Sequence, residues 1–344
     1  MKRFLNMQID IPYYSDTSRI SNSNIGWFLQ KGPAYLHKML TNPPPEEKNY
    51  VLERGTLIHM YILQPEEFHN TYVVWDKSRP TSAQQEKFCQ ELASSVEIEP
   101  NKAILSAYKA AYSTKGKTDD SMLSEGQKIA STLKDYIDFL KANDGRKMIS
   151  PWDAQMLEKI KQNIQSHKLA SKIIWFVGYG EYPADSPIMP GDEMAFWHEF
   201  HINWESRKGV KCKSLLDGLT LDFKDKKAII YDLKTTQKLW HFEDSINQYD
   251  YLRQLSYYYS AVCWYMREEL GEDYFDWTFE FYIIGIDTTG SNEIRVFKIS
   301  KEAVDSRGLI IIKALDEIAW HQSTGKWDHS RDYYEGDGSE SLNL

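Results

Sequence analysis

The chain has 344 residues, 42% of them hydrophobic and 14% aromatic, enough for one large folded unit or two modest ones and too apolar for an intrinsically disordered protein. A formal net charge of −9 excludes a protein that coats nucleic acid nonspecifically, since that affinity comes from neutralising phosphates, but leaves room for a local basic groove. No run approaches the roughly eighteen apolar residues of a membrane span and MKRFLNMQIDIP lacks the apolar stretch of a secretory signal, so the expectation is a cytoplasmic protein with no membrane partner.

Ser21-Asn22-Ser23 offers N-cap oxygens to a helix in which Ile25, Phe28 and Leu29 recur at helical spacing, and Pro43-Pro44-Pro45 breaks the chain after it. A second helix is predicted over 52–63, with Leu52, Gly55, His59 and Ile62 on related faces. From about 82 to 174 the pattern is mostly helical, with loops near 114–120 and 143–150, and reads as a helical insertion at about 80–175. Beyond Gly178 the period shifts towards two. Residues 196–204, 210–221 and 228–234 read as consecutive antiparallel strands, with polar 222–227 as a hairpin turn. A long helix over 243–269, strands at 277–286 and 293–299, and a closing helix over 301–321 follow. The expected organisation is a single domain over 1–327 and an acidic, flexible tail over 328–344. Cys89, Cys212 and Cys263 form no C-x-x-C pair and read as packed thiols.

The chemistry concentrates on Asp217 and, fifteen residues later, Asp232-Leu233-Lys234. In an extended strand the side chains of Asp232 and Lys234 share a face, and a charge at the end of the apolar run Ala228-Ile229-Ile230-Tyr231 needs a partner. A carboxylate pair can hold a hard divalent cation, and a lysine beside it can offset charge on a phosphate. Two further D-x-K strings, Asp222-Phe223-Lys224 and Asp225-Lys226-Lys227, lie in the hairpin turn instead. Arg207, Lys208, Lys211, Lys213, Lys224, Lys226, Lys227 and Lys238 gather positive charge around the same region, as a groove or as a solvated hairpin face. His198-Glu199-Phe200-His201 is not the H-E-x-x-H of a zinc protease: its histidines are three apart in an alternating strand, where they face opposite sides.

Gly55-Thr56-Leu57-Ile58-His59 on a helix, Glu199, Asp217 and Asp232-Leu233-Lys234-Thr235-Thr236 on successive strands, and Gln254-x-x-x-Tyr258 on the next helix occur in that order. The order resembles the PD-(D/E)XK nuclease superfamily, in particular its RecE-like (exonuclease VIII-type) branch. GTLIHMYILQPEEF at 55–68 is similar to that branch's GT-x-x-H segment, DLKTT to its D-h-K-T-T core, and 23–35 to its N-terminal segment. Leu216 stands where the superfamily name has proline, and Asp232 where many members carry glutamate. The resemblance implies an α/β (α+β), restriction-endonuclease-like core, a mixed central sheet flanked by helices. It implies magnesium, with manganese able to substitute, held by Asp217 and Asp232 with Glu199 and His59. Lys234 is then the residue that orients the attacking water and offsets phosphate charge, and Gln254 and Tyr258 face the site, bracing the lysine or touching the DNA backbone. Arg253 reads equally as a phosphate contact or an ordinary surface residue.

The implied activity is 5′-to-3′ exonuclease digestion of double-stranded DNA ends, giving 3′ single strands for recombination. A RecT-like single-strand annealing protein and a ring-shaped homo-oligomer are the implied partners. The alternatives are a single-strand or flap nuclease, an endonuclease of a phage or defence system, and a catalytically inactive DNA-end-binding protein; Asp217, Asp232 and Lys234 argue against the last.

Overall fold

Where apolar and polar residues alternate the chain is extended, and where they recur every three to four it is helical, in a computed structural model that describes residues 13–44, 50–142, 144–175 and 193–340. The opening MKRFLNMQIDIP up to residue 12, Pro45, Asn143, Gly178, the side chain of Leu52 and the last four residues lie outside the described residues.

After one turn at Tyr13–Ser15 comes helix α1 (Asn22–Thr41). Its start is a reciprocal capping box: the Asn24 N–H donates to the Ser21 hydroxyl and the Ser21 N–H to the Asn24 side chain. The helix kinks at Gly32, whose φ of 80° suits glycine, just before Pro33. Helices α2 (Tyr50–Leu63) and α3 (Pro65–Thr71) follow, then β1 (Tyr72–Val74), α4 (Ala83–Ser94), α5 (Pro100–Ala111), α6 (Asp119–Thr132), α7 (Lys134–Lys141), β2 (Lys147–Ile149), α8 (Pro151–Ser166) and α9 (Ala170–Trp175).

The chain divides into two compact units. One is Glu66–Gln155, with a core of Phe88 and Cys89 from α4, Ala107 and Tyr108 from α5, Met122 from α6 and Ile137 from α7. Within it β1 and β2 pair in parallel, a pairing that three-residue strands carry too little alternation to announce. The other unit comprises the chain up to Pro65 and from Met156 onward, so residues 156–175, read above with the helical insertion, belong to it.

This second unit is built on β3 (Met194–Glu205), β4 (Lys211–Asp222), β5 (Lys227–Thr236), β6 (Thr278–Asp287) and β7 (Ile294–Ile299), in that spatial order. Neighbours are antiparallel except β5 and β6, which are parallel, so the sheet is mixed. A parallel pair needs a crossover. It is supplied by α10 (Phe242–Gln248) and α11 (Tyr251–Tyr265), which replace the single helix expected over 243–269. The break falls at Asp250, whose left-handed φ of 48° ends one helix and redirects the next. The closing helix is likewise two, α12 (Lys301–Asp305) and α13 (Gly308–Thr324), parted where the Ser306 hydroxyl returns to the Ala303 carbonyl and Gly308 follows. The core joins Leu216, Leu219 and Ile230 of the sheet to Ile25 of α1, Leu255 and Val262 of α11, and Ile311 and Ile318 of α13, each side chain worth about 1.5–3 kcal/mol. The stretch read as a flexible tail contains a short helix, α14 (Arg331–Glu335), whose Tyr334 ring lies 5.7 Å from Trp320.

Candidate metal centre

The site lies where the sheet stops pairing regularly. β3 and β4 keep one register from His198↔Gly218 to Phe200↔Leu216, but the intervening Glu199 and Asp217 do not pair, and Glu199 has a φ of 47°. β4 and β5 pair only between Gly218↔Tyr231 and Asp222↔Lys227, so they part at Asp217 and Asp232. Asp217 then takes over the missing backbone partner: its Oδ2 accepts the Leu233 N–H at 2.6 Å. Glu199, Asp217 and Asp232 stand at matching positions on three neighbouring strands, with Lys234 two residues further along β5. At the point of parting, the Tyr231 ring lies across Gly218, where a Cβ would stand 2.0 Å from ring carbons.

Helix α2 approaches the same place. A Cβ on Gly55 would meet Thr235 Oγ1 of β5 at 3.3 Å, so glycine lets the helix come close, and His59, one turn on, reaches Asp217 with Nδ1 3.6 Å from Oδ2. One ligand atom each from His59, Glu199 and Asp217 lies within 4.8 Å of the others. Asp232 is not part of that group; beside it, it is held by other partners. Its Oδ1 accepts from Gln254 Nε2 at 2.9 Å, and the same nitrogen donates to the Tyr258 hydroxyl at 2.7 Å. Its Oδ2 forms an ion pair with Lys234 but no aligned hydrogen bond. Gln254 and Tyr258 therefore brace Asp232 and not the lysine, and Tyr258 is buried beneath the site. The Lys234 ammonium lies 5.0 Å from the centroid of Tyr251.

Burial sets the electrostatics. It raises Glu199 to about 8, aided by Asp217 and Asp232, and raises Asp217 and Asp232 to about 6 against the pull of Lys234. Burial also draws Lys234 down, but Asp232 and Asp217 outweigh it and hold the ammonium above its ordinary value. His59 is pushed down to about 4, first by burial and then by Lys234, so at neutral pH it is an uncharged imidazole. The donor set fits a divalent cation: clustered carboxylates that resist ionising together, a neutral imidazole, and a buried Asp232 oxygen with no aligned donor.

Sequence reasoning passed over several neighbours. Tyr13 packs edge-on against His201 at 5.1 Å, and buried Lys213 donates to the carbonyls of Tyr13 and Asp16. Nothing local marks residues 13–16, which reach the sheet across nearly 200 residues of sequence. Half of the basic cluster forms ion pairs, Arg207 with Asp316, Lys224 with Glu193, Lys226 with Asp276 and Lys227 with Glu280. Arg253 is neither a surface residue nor poised for phosphate: it is buried and donates to the Asn22 carbonyl at 2.7 Å. His198 lies within hydrogen-bonding distance of the Leu63 and Ile174 carbonyls, in keeping with a strand and not a zinc-protease helix. The three cysteines are free and buried. Among the described residues no helix is long and apolar enough to cross a membrane.

Comparison with known proteins finds a family described as "PDDEXK-like domain of unknown function (DUF3799)", matched over residues 21–331. The search of curated proteins gives no match. A solved structure named "Putative exonuclease", from Eubacterium rectale, shares 13% identity, with 99% of this chain and 97% of that one covered and a TM-score of 0.45.

Proposed function

The chain belongs to the PDDEXK-like family, and from that premise we propose that it is a metal-dependent nuclease that hydrolyses the phosphodiester bonds of DNA. The observation that carries this reading is the convergence of His59, Glu199 and Asp217 from three separate elements to within 4.8 Å, with Asp232 and Lys234 beside them. His59, Glu199, Asp217 and Asp232 would hold the cation, magnesium by preference with manganese as a substitute. When bound, such an ion supplies Lewis-acid polarisation of a phosphate oxygen and lowers the pKa of a nearby water.

The remaining work falls to the chain. The Leu233 N–H fixes the direction of the Asp217 carboxylate, and Gln254, itself held by Tyr258, fixes that of Asp232. Lys234, kept protonated by these acids, offsets charge gathering on the phosphate oxygens and orients the attacking water. Tyr258 is a positioning residue, since it touches Gln254 from below.

Within this class the reading is an exodeoxyribonuclease that digests double-stranded ends 5′ to 3′, leaves 5′ phosphates, and exposes 3′ single strands for recombination. A RecT-like annealing protein and a ring-shaped assembly of this chain are its proposed partners. The GT-x-x-H and DLKTT segments support this assignment. End-labelled linear duplex, single strand and closed circular duplex, each with magnesium or with chelator, test it. The expected result is magnesium-dependent loss of the 5′ label from linear duplex with the circle intact. A cut circle would make the protein an endonuclease, preference for single strand a strand or flap nuclease, and end binding without nucleotide release an inactive end-binding protein.

A further inference from the structure

Two exposed tyrosines flank the site on backbone that is firmly anchored. Tyr14 is 85% and Tyr249 57% exposed, although large aromatic side chains usually bury most of their surface. On the Glu199 side, the Lys213 ammonium of β4 donates to the carbonyls of Tyr13 and Asp16 and lies 4.6 Å from the Tyr13 centroid. Tyr13 packs against His201 of β3, two residues from Glu199, and Tyr14 lies edge-on to Tyr13 at 5.2 Å. The charges of Glu199 and Asp217 reach Tyr14.

On the Lys234 side, Tyr251 lies under the ammonium and stacks on Tyr249 at 5.7 Å with a 23° tilt. The adjoining turn is clamped by Asp250, whose carboxylate meets Arg307 at 2.8 Å and Arg253 at 3.4 Å. Tyr14 and the outer face of Tyr249 are left open to solvent.

We propose that Tyr14 and Tyr249 stack on bases flanking the phosphate that is cut, so that the strand is bound unpaired at the site. This inference rests on the nuclease reading and says how a duplex end is held: the strand to be cut is locally unpaired at the site. Aromatic faces hold bases without regard to sequence, and a base inside a duplex has both faces already covered by its neighbours. The charge balance points the same way: at a net charge of −9 the chain as a whole does not attract phosphates, which leaves stacking a larger share of the grip.

The test is binding of a short single-stranded oligonucleotide carrying 2-aminopurine to hydrolysis-deficient Asp232→Ala protein. Tyr14→Leu and Tyr249→Leu are compared with Tyr14→Phe and Tyr249→Phe in that background, all checked by thermal melting. Binding should quench the fluorophore. With the fluorophore placed in turn on either side of the cut phosphate, each leucine variant should bind about tenfold more weakly and lose quenching at the base it faces, while the phenylalanine variants match the parent. An abasic nucleotide at either position should weaken the parent by a similar factor and make silent the leucine substitution that faces it. Leucine variants that bind like the parent, phenylalanine variants as impaired as leucine, or an abasic site without cost would each overturn the inference. Hydrolysis by the wild-type chain, followed separately, reports on the nuclease reading: a chain that cuts DNA while its leucine variants bind normally keeps that reading and loses this one.

Discussion

Asp232 and Lys234 form a buried pair, but their removals are not equivalent. Taking away the lysine leaves Glu199, Asp217 and Asp232 facing one another with no cation between them, whereas taking away Asp232 leaves Lys234 facing two remaining acids. Breaking a buried pair so that a charge is stranded costs about 3 kcal/mol. Lys234→Ala should therefore lower stability by about that amount at neutral pH, and Asp232→Ala by clearly less, since it relieves repulsion in the acidic cluster. Urea unfolding of the two variants measures this, and an Asp232→Ala protein less stable than Lys234→Ala would contradict it. Both should lose hydrolysis by about a thousandfold or more, because each removes a group aimed at the charge that develops on the phosphate. Gln254→Leu should act more gently, lowering kcat about tenfold with KM little changed, since it frees Asp232 without removing it. An unchanged kcat would mean that Asp232 keeps its direction without the amide.

At the level of elements, the opening between β4 and β5 makes the site, and Gly218 guards its edge. A methyl group there would drive into the Tyr231 ring 2.0 Å away, so Gly218→Ala should destabilise the protein by about 3 kcal/mol. Much of that loss should vanish when Tyr231→Ala is also present; a full penalty in the double variant would show that the ring is not the obstacle. This opening was not legible in the sequence. The alternation that reveals β3, β4 and β5 says that Asp232 and Lys234 share a face, and the superfamily resemblance implies that Glu199 and Asp217 join them, but neither can tell that pairing lapses at Asp217 and that its carboxylate binds the Leu233 N–H. Helix boundaries failed for a similar reason. The apolar period runs on through Asp250 and Ser306, and only a left-handed φ of 48° at the first and a side-chain hydrogen bond at the second break it. The approach of Tyr13 and Tyr14 is a long-range contact with no local signature. By contrast the mixed sheet flanked by helices and the superfamily resemblance were readable from GTLIH, DLKTT and their order along the chain, and the PDDEXK-like family and the observed five strands agree with both.

For the molecule as a whole, the crowded acids make stability and cation binding depend on pH. Carboxyl groups raised to about 6 at Asp217 and Asp232 and about 8 at Glu199 bind more protons folded than unfolded between their ordinary values near 4 and these raised ones. Their contribution to stability is thus fullest below about pH 4 and is lost as pH rises through 6 and then 8, when repulsion is no longer relieved by protons. A cation replaces those protons, so magnesium should raise the melting temperature more at pH 8 than at pH 6. Equal gains at both would mean that these acids do not bind it. The most direct measurement is a magnesium titration of nucleotide release from end-labelled linear DNA by the wild-type chain and by Asp217→Asn. The wild type should show saturable activity that a chelator abolishes, and Asp217→Asn a loss of about a thousandfold at every magnesium concentration. Release that survives the chelator, or an Asp217→Asn protein as active as the wild type, would contradict a metal centre built on these strands.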